Sequence, residues 1–234
     1  IRLKALKLFY ELKDPDWGPD ISFLDLSKLA TYVKPVKGEV RKWEDVPEDI
    51  RNVFDKLGIP ESEKQALAGS GAQFDSEIVY HNLTKDLKEK GIIYTSFDEG
   101  LKEYPDLVKE YFTKAVPLTD HKYIALHYAL FSGGSFVYIP KDTELDRPLQ
   151  SYFRINAKGA GQFEHTLIIV EEGSNLQFIE GCSAPGYNEV NLHAGCVELF
   201  VKKNATLRFS TIENWSKNML NLNTKKCIVD ESGT

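Results

Sequence analysis

The fold is decided by three short stretches: "IPKDTEL" at 139–145, "VEEGSNL" at 170–176 and "VKKNATL" at 201–207. Each is an apolar residue (Ile-Pro in the first), a tight polar turn, and a Leu that opens a second β-type run. The copies stand 31 residues apart, and a further start, "VDESGT" at 229–234, follows after 28. A strand–turn–strand unit that cannot bury its own apolar face, repeated at a fixed period, predicts a β-solenoid. Its coils would stack ~4.8 Å apart, the spacing of neighbouring strands in any sheet. A sandwich of unrelated hairpins is the competing reading.

Outward from the repeat, the chain changes character near residue 130. Before that point the periodicity predicts a helical and loop region, 1–130; after it, 131–234 reads as the first coils of a β-helix core, cut short at the C-terminus. "IRLKALKLFYELKD" (1–14) has an amphipathic helical pattern. "VPEDIRNVFDKLG" (46–58) opens with Pro and acids, places Ile50, Val53, Phe54 and Leu57 on one face, and ends in Gly58. "PESEKQALAG" (60–69) repeats that logic. Ser96 and Glu99 form a capping box. "DLVKEYFTKAV" and "DHKYIALHYALFSGG" complete the helical set, the second closing at Gly133 and Gly134. "DPDWGPDISFLDL" is too rich in Pro and Gly for a regular element.

The 234 residues carry a net charge of −6 and a pI near 5.5. This argues against nucleic acid or an anionic membrane surface as the main partner. No apolar run approaches ~18 residues, so no membrane-spanning helix is expected. Three cysteines without an export signal predict a reducing, cytoplasmic setting and disfavour disulfides.

The 31-residue register turns sequence into geometry. It places Phe178 under Phe209 and Cys182 under Glu213. Alternation along a strand puts Phe178, Glu180 and Cys182 on one side, and Phe209, Thr211, Glu213 and Trp215 on one side of the next coil. Tyr152, Arg154 and Asn156 are assigned the matching side of the first coil. Each row starts aromatic and becomes polar. Buried polar groups are costly unless paired, so these rows are either a self-satisfied network, a lined passage, or a solvent-facing surface. Cys196 and Cys227 read as small buried hydrophobes, and the three cysteines lack zinc-type spacing. His121 and His127, six apart, read as ordinary partly buried histidines; His165 and His193 show no partner. Neither a phosphate loop nor a nucleophile elbow occurs.

A series of motifs then carries a family resemblance: "VYHNL", "SGGSFVYIPK", "PLQSYFRINA", "GQFEHTLIIVEEGS", "EGCSAP", "LHAGCVELFVKKNATLRFSTIENW" and "NLNTKK", with "WGPD" and "YVKP" upstream. Together they resemble the SufB/SufD family of the SUF iron–sulfur cluster assembly system, on its SufB side, over essentially the whole chain. The resemblance implies a right-handed parallel β-helix flanked by helices. It implies a scaffold and carrier, not an enzyme, in a complex with the ATPase SufC and with SufD. Sulfur would come from a cysteine desulfurase and its transfer partner. It makes Cys182, in the "EGC" motif, the sulfur acceptor. Arg154 and Asn156 ("YFRIN"), Glu164 ("GQFE"), Glu213 and Trp215 ("ENW") and Lys225 ("TKK") become the lining of a sulfur path. It also implies an iron–sulfur cluster, with ligands expected beyond Thr234, and the use of a reduced flavin. Glu213 stands where the family usually has Gln, and a carboxylate beside a thiol raises its pKa. The open last coil is expected to self-associate or to belong to a longer protein. A structural SufD-like partner without thiol chemistry and a β-helix polysaccharide-acting enzyme are the alternative functions; the latter rests on fold analogy and on Glu164, Glu180 and Glu213 as paired carboxylates.

Overall fold

The structure, a computed structural model, describes residues 1–35, 39–40, 42–56 and 66–234. Thirteen strands form among them, and ten of these build a three-sided parallel solenoid. The first coil is β4 (Ser135–Ile139), β5 (Leu149–Arg154) and β6 (Gly161–Gln162). The second is β7 (His165–Val170), β8 (Asn175–Ser183) and β9 (Asn191–His193), and the third is β10 (Cys196–Val201), β11 (Thr206–Asn214) and β12 (Met219–Asn221). Strand β13 (Thr224–Val229) begins another. Equivalent strands pair in parallel, giving one sheet through β4, β7, β10 and β13, a second through β5, β8 and β11, and a third through β6, β9 and β12. The solenoid expectation holds, and so does its register: Ile139 pairs with Val170, Val170 with Val201, and Val201 with Val229.

The turns explain why the repeat is visible. Asp142, Gly173, Asn204 and Ser232 occupy equivalent places, and all have positive φ, at 54°, 71°, 57° and 57°. Short polar residues and Gly tolerate that left-handed conformation best. The ladder continues through the bend, with Asp142 N–H donating to Glu172 O at 2.9 Å and Gly173 N–H to Lys203 O at 3.1 Å.

One coil departs from the period. Thr143 still aligns with Ser174 and Asn175, 31 and 32 residues on. By Leu149 the partner is Phe178, only 29 residues on. The segment Glu144–Pro148 thus holds two extra residues. The inward row of β5 is therefore Leu149, Ser151 and Phe153, whose neighbours on β8 are Phe178, Glu180 and Cys182. Tyr152 and Arg154 pair with Gly181 and Ser183 on the opposite face. This corrects the assignment of Tyr152, Arg154 and Asn156 to the Cys182 side: the row was set by the aromatic Tyr152, but the core aromatic is Phe153, fully buried.

Before the solenoid lie helices α1 (Arg2–Glu11), α2 (Glu48–Lys56), α3 (Lys85–Glu89), α4 (Phe97–Glu103), α5 (Pro105–Tyr111) and α6 (Lys122–Leu130). The Ser96 cap forms, its Oγ accepting from Glu99 N–H at 3.2 Å. Ile50 and Phe54 bury the inner face of α2; Leu57, Gly58 and residues 60–65 of the "PESEKQALAG" reading lie outside the described residues. The reading of 1–130 as helix and loop missed three strands. β1 (Gly69–Phe74) and β2 (Glu77–Leu83) form a hairpin that adds to the β5 edge, and β3 (Ile93–Ser96) adds antiparallel to β4. The signal of β1 is weak because "GSGAQF" is poor in β-formers, whereas β2 ("EIVYHNL") and β3 ("IYTS") carry Ile, Val, Tyr and Thr and were legible as strands. Gly71 is needed in β1, since a Cβ would stand 2.9 Å from the Tyr94 hydroxyl.

The coil interior is packed by Val137, Ile139, Ile168, Val170, Leu176, Phe178, Val197 and Val201. Helices α4 to α6 cover the outer face of the β4–β7–β10 sheet through Phe97, Phe112, Tyr128, Phe136 and Leu167. The N-terminal loop covers Phe163 and Leu192 on the β6–β9 face. Among the described residues, no helix is long and apolar enough to cross a membrane.

Candidate functional site in the solenoid interior

All three sheets contribute to one polar end of the interior. The inward columns of β5, β8 and β11 run Leu149–Phe178–Phe209, then Ser151–Glu180–Thr211, then Phe153–Cys182–Glu213. The sheet through β13 sends in Lys225, in the column of Thr166 and Val197. The third sheet supplies His193 and Asn221, and the corner after β6 supplies Glu164.

These side chains meet. Lys225 Nζ pairs with Glu180 Oε1, donates to Thr211 Oγ1 at 2.7 Å, and lies 5.2 Å from the centre of the Phe209 ring. Glu164 Oε1 is 2.5 Å from His193 Nε2, and His193 Nδ1 is 2.8 Å from Asn221 Oδ1. Glu213 Oε2 accepts from Trp215 Nε1 at 3.2 Å and from Asn221 Nδ2 at 2.9 Å. The Trp215 ring sits against His193, centroids 4.8 Å apart, and against Cys182 and Phe153. Gly195 makes room for the Glu164–His193 pair: a Cβ there would stand 2.1 Å from Glu164 Oε1.

Burial sets the electrostatics. Cys182 is 1% exposed and Glu180 wholly buried. Desolvation pushes the Cys182 thiol well above its ordinary value, Glu180, Glu164 and Glu213 push the same way, and Lys225 opposes them. Desolvation also raises the Glu180 carboxyl, against the pull of Lys225. Burial alone would lower His193, but the Glu164 carboxylate and the Asn221 bond reverse that and raise it. Glu164 Oε2 and Glu180 Oε2 have no hydrogen-bond partner. Two unpaired buried carboxylate oxygens beside a thiol are an expensive arrangement for a structural core.

Of the sequence-predicted residues, Cys182, Glu164, Glu213, Trp215 and Lys225 converge here. Arg154 and Asn156 do not. Arg154 Nη1 donates to Ser183 Oγ at 2.8 Å. Asn156 N–H donates to Asp75 Oδ1 at 2.7 Å, and its carbonyl accepts from the Tyr187 hydroxyl at 2.5 Å. The family resemblance names neither His193 nor Glu180 as lining, although strand alternation places Glu180 in the Cys182 row. The expectation that His193 lacks a partner is corrected by Glu164, 29 residues away in the sequence. The same expectation for His165 is corrected by His127 Nε2, 3.1 Å from its Nδ1, and His127 itself is fully buried. Cys196 is buried as read, whereas Cys227 is exposed, because it sits on the edge strand β13.

Residues 153–234 match the SUF system FeS cluster assembly SufBD core domain, and residues 72–151 match the SufBD protein N-terminal region. The chain belongs to the SufBD family. It is 52% identical over 232 residues to iron–sulfur cluster assembly SufBD family proteins of Staphylococcus epidermidis, Staphylococcus haemolyticus and Staphylococcus aureus. These alignments cover 99% of this chain and 50% of each relative. The chain thus spans about half the length of the curated relatives it matches. Family membership implies involvement in iron–sulfur cluster assembly.

Proposed function

We propose that this chain is a SufB-type scaffold subunit that accepts persulfide sulfur at Cys182 and passes it along the polar interior toward a nascent cluster. The reading rests on one observation: a buried thiol stands beside the buried Glu164, Glu180 and His193, with the exposed Glu213 and Lys225 next to them and two carboxylate oxygens unpaired. The work is that of a carrier, with a cysteine desulfurase as donor, SufD as companion subunit and ATP hydrolysis assigned to SufC.

The buried thiol is protonated at rest, so acceptance begins with its activation. The Cys182 proton passes to the Oε2 of Glu180, on the same strand face. The thiolate attacks the terminal sulfur of the donor persulfide. A Cys182 S–S bond forms, the donor S–S bond breaks, and the donor leaves as a thiolate. No net electron transfer occurs. Lys225 favours the charged form, while Glu213 opposes it.

Mass spectrometry of the full-length protein after incubation with the desulfurase tests this. One added sulfur atom on Cys182, absent from Cys182→Ser, is expected. Sulfur appearing elsewhere with Cys182 unmodified would overturn the assignment. Normal cluster assembly in Cys182→Ala would favour the SufD-like structural role.

A further inference from the structure

A second group of ligating side chains lies on the other side of the β7–β10 sheet, beneath the helices. His127 on α6, His165 at the start of β7 and Cys196 at the start of β10 are all fully buried. One ligating atom from each falls within 4.8 Å of the others.

With both imidazoles neutral, proton counting at this site does not close. His127 Nδ1 lies 2.8 Å from the Ala194 carbonyl oxygen, which can only accept, so Nδ1 carries the proton and Nε2 presents a lone pair. That lone pair faces His165 Nδ1 at 3.1 Å. The remaining nitrogen of His165 has no hydrogen-bond partner and faces Glu198 Oε2 at 3.3 Å. Glu198 accepts from the backbone N–H groups of Thr113, Ala115 and Val116 at 2.8, 2.8 and 2.9 Å, while the Tyr128 hydroxyl donates its one proton to Val116 O at 2.7 Å and lies 3.3 Å from Glu198 Oε2. Three backbone N–H donors thus point at this carboxylate. Two neutral imidazoles hold two protons, but the line from Ala194 O to Glu198 has three gaps. Protonating His165 toward Glu198 leaves two lone pairs opposed at 3.1 Å. Protonating it toward His127 leaves a lone pair opposed to an anion. With both rings neutral one positive charge is missing, which a third proton on the imidazole pair or a bound cation would supply; the Cys196 thiol within reach of both rings favours the cation.

We propose that a divalent transition-metal ion of the zinc type supplies it, held by His127 Nε2, His165 Nδ1 and the Cys196 thiolate. Each ring then donates its far N–H to an acceptor, one a carbonyl and one a carboxylate, which is the usual outer support of a metal-bound histidine. The two near nitrogens fit a common ion at about 2.0–2.1 Å from each, and Cys196 closes in to about 2.3 Å. The charges cancel: a dication against the thiolate and Glu198, as a fully buried site requires. Binding releases the thiol proton and moves no electron. The Tyr128 hydroxyl, 4.0 Å from Cys196 Sγ, is the polar group at hand for a fourth position. The site is separate from Cys182 and lies on the outer face of the coil.

The test is metal content and spectroscopy of the full-length protein produced with cobalt in place of zinc, without reconstituting any iron–sulfur cluster. Wild type should hold one cobalt more per chain than Cys196→Ser and show a thiolate-to-cobalt charge-transfer band that Cys196→Ser loses and Cys182→Ala keeps. Equal metal content in wild type and Cys196→Ser overturns the proposal, as does loss of the band in Cys182→Ala. If Cys196→Ser does not fold, zinc-edge X-ray absorption of the unaltered protein decides: a first shell without mixed nitrogen and sulfur ligands overturns it. Failure here leaves sulfur acceptance at Cys182 untouched, because the proposed metal ligands His127, His165 and Cys196 take no part in it.

Discussion

Strand β8 passes from one kind of interior to another within a few residues. Leu176 and Phe178 enter a dry region, where Phe178 stacks on Phe209 with centroids 5.7 Å apart. Glu180 and Cys182 enter a region of carboxylates, an ammonium and an imidazole. Both ends share the same coil and hydrogen-bond ladder. The first end is what a solenoid needs to hold its coils together; the second costs stability, a cost that the proposed sulfur acceptance at Cys182 would account for. The comparison therefore separates residues that pack the coil from residues that place charge beside the thiol.

The largest effect is expected at the dry end. Phe178→Ala should lower unfolding free energy by about 3–5 kcal/mol, through lost burial and the cavity left behind. Denaturant titration reads it; a loss under about 1 kcal/mol would mean that the dry end is not a packed core.

Lys225→Met acts at the polar end and should cost less, about 2 kcal/mol. Breaking a fully buried pair costs about 3–5 kcal/mol, but the Lys225 side chain is 27% exposed and water screens part of the interaction. The pH dependence distinguishes this loss from lost packing. The folded-state value of Glu180 is raised above its ordinary 4.5, so the folded protein loses stability as pH rises through that window. Without Lys225 the carboxylate is more costly still. The deficit of the variant should shrink as pH falls toward the range where Glu180 protonates. A deficit constant with pH would break the electrostatic reading.

The sequence made the two ends unequally legible. The period was readable because the bends recur at left-handed positions that only a few residue types fill, so Asp142, Gly173 and Asn204 announce themselves. The convergence of Cys182, Glu213 and Lys225 followed from register and family motifs. The position of Arg154 did not, because two extra residues in a loop shift a register without changing the strand pattern. The Glu164–His193 pair was hidden for a related reason: its members come from a corner and a three-residue strand, elements too short to carry periodicity. Gly173→Ala tests the legible part. A left-handed bend costs a non-glycine residue about 1–2 kcal/mol, and the new Cβ would press on Asp142 Oδ1 at 2.4 Å.

The smallest effect is a titration, and it bears most directly on the polar end. His193 is wholly buried, and burial alone would drive its value below 6.5; the Glu164 carboxylate and Asn221 raise it instead. His121, with Asp120 and Lys226 as its charged neighbours, is lowered by burial. NMR should therefore find His193 titrating above 6.5 and His121 below it. Because the folded value of His193 is raised, the stability it contributes is complete below pH 6.5 and disappears as pH rises through the folded value. Glu164→Gln removes the charge that holds it up, so His193 should fall below 6.5 while His121 stays in place. Gly195→Ala should do the same by displacing the carboxylate without touching its chemistry. An unmoved His193 in both variants would show that the pair does not govern this end of the interior, and Lys225 with Glu180 would then be the only charge balance near Cys182 among the described residues.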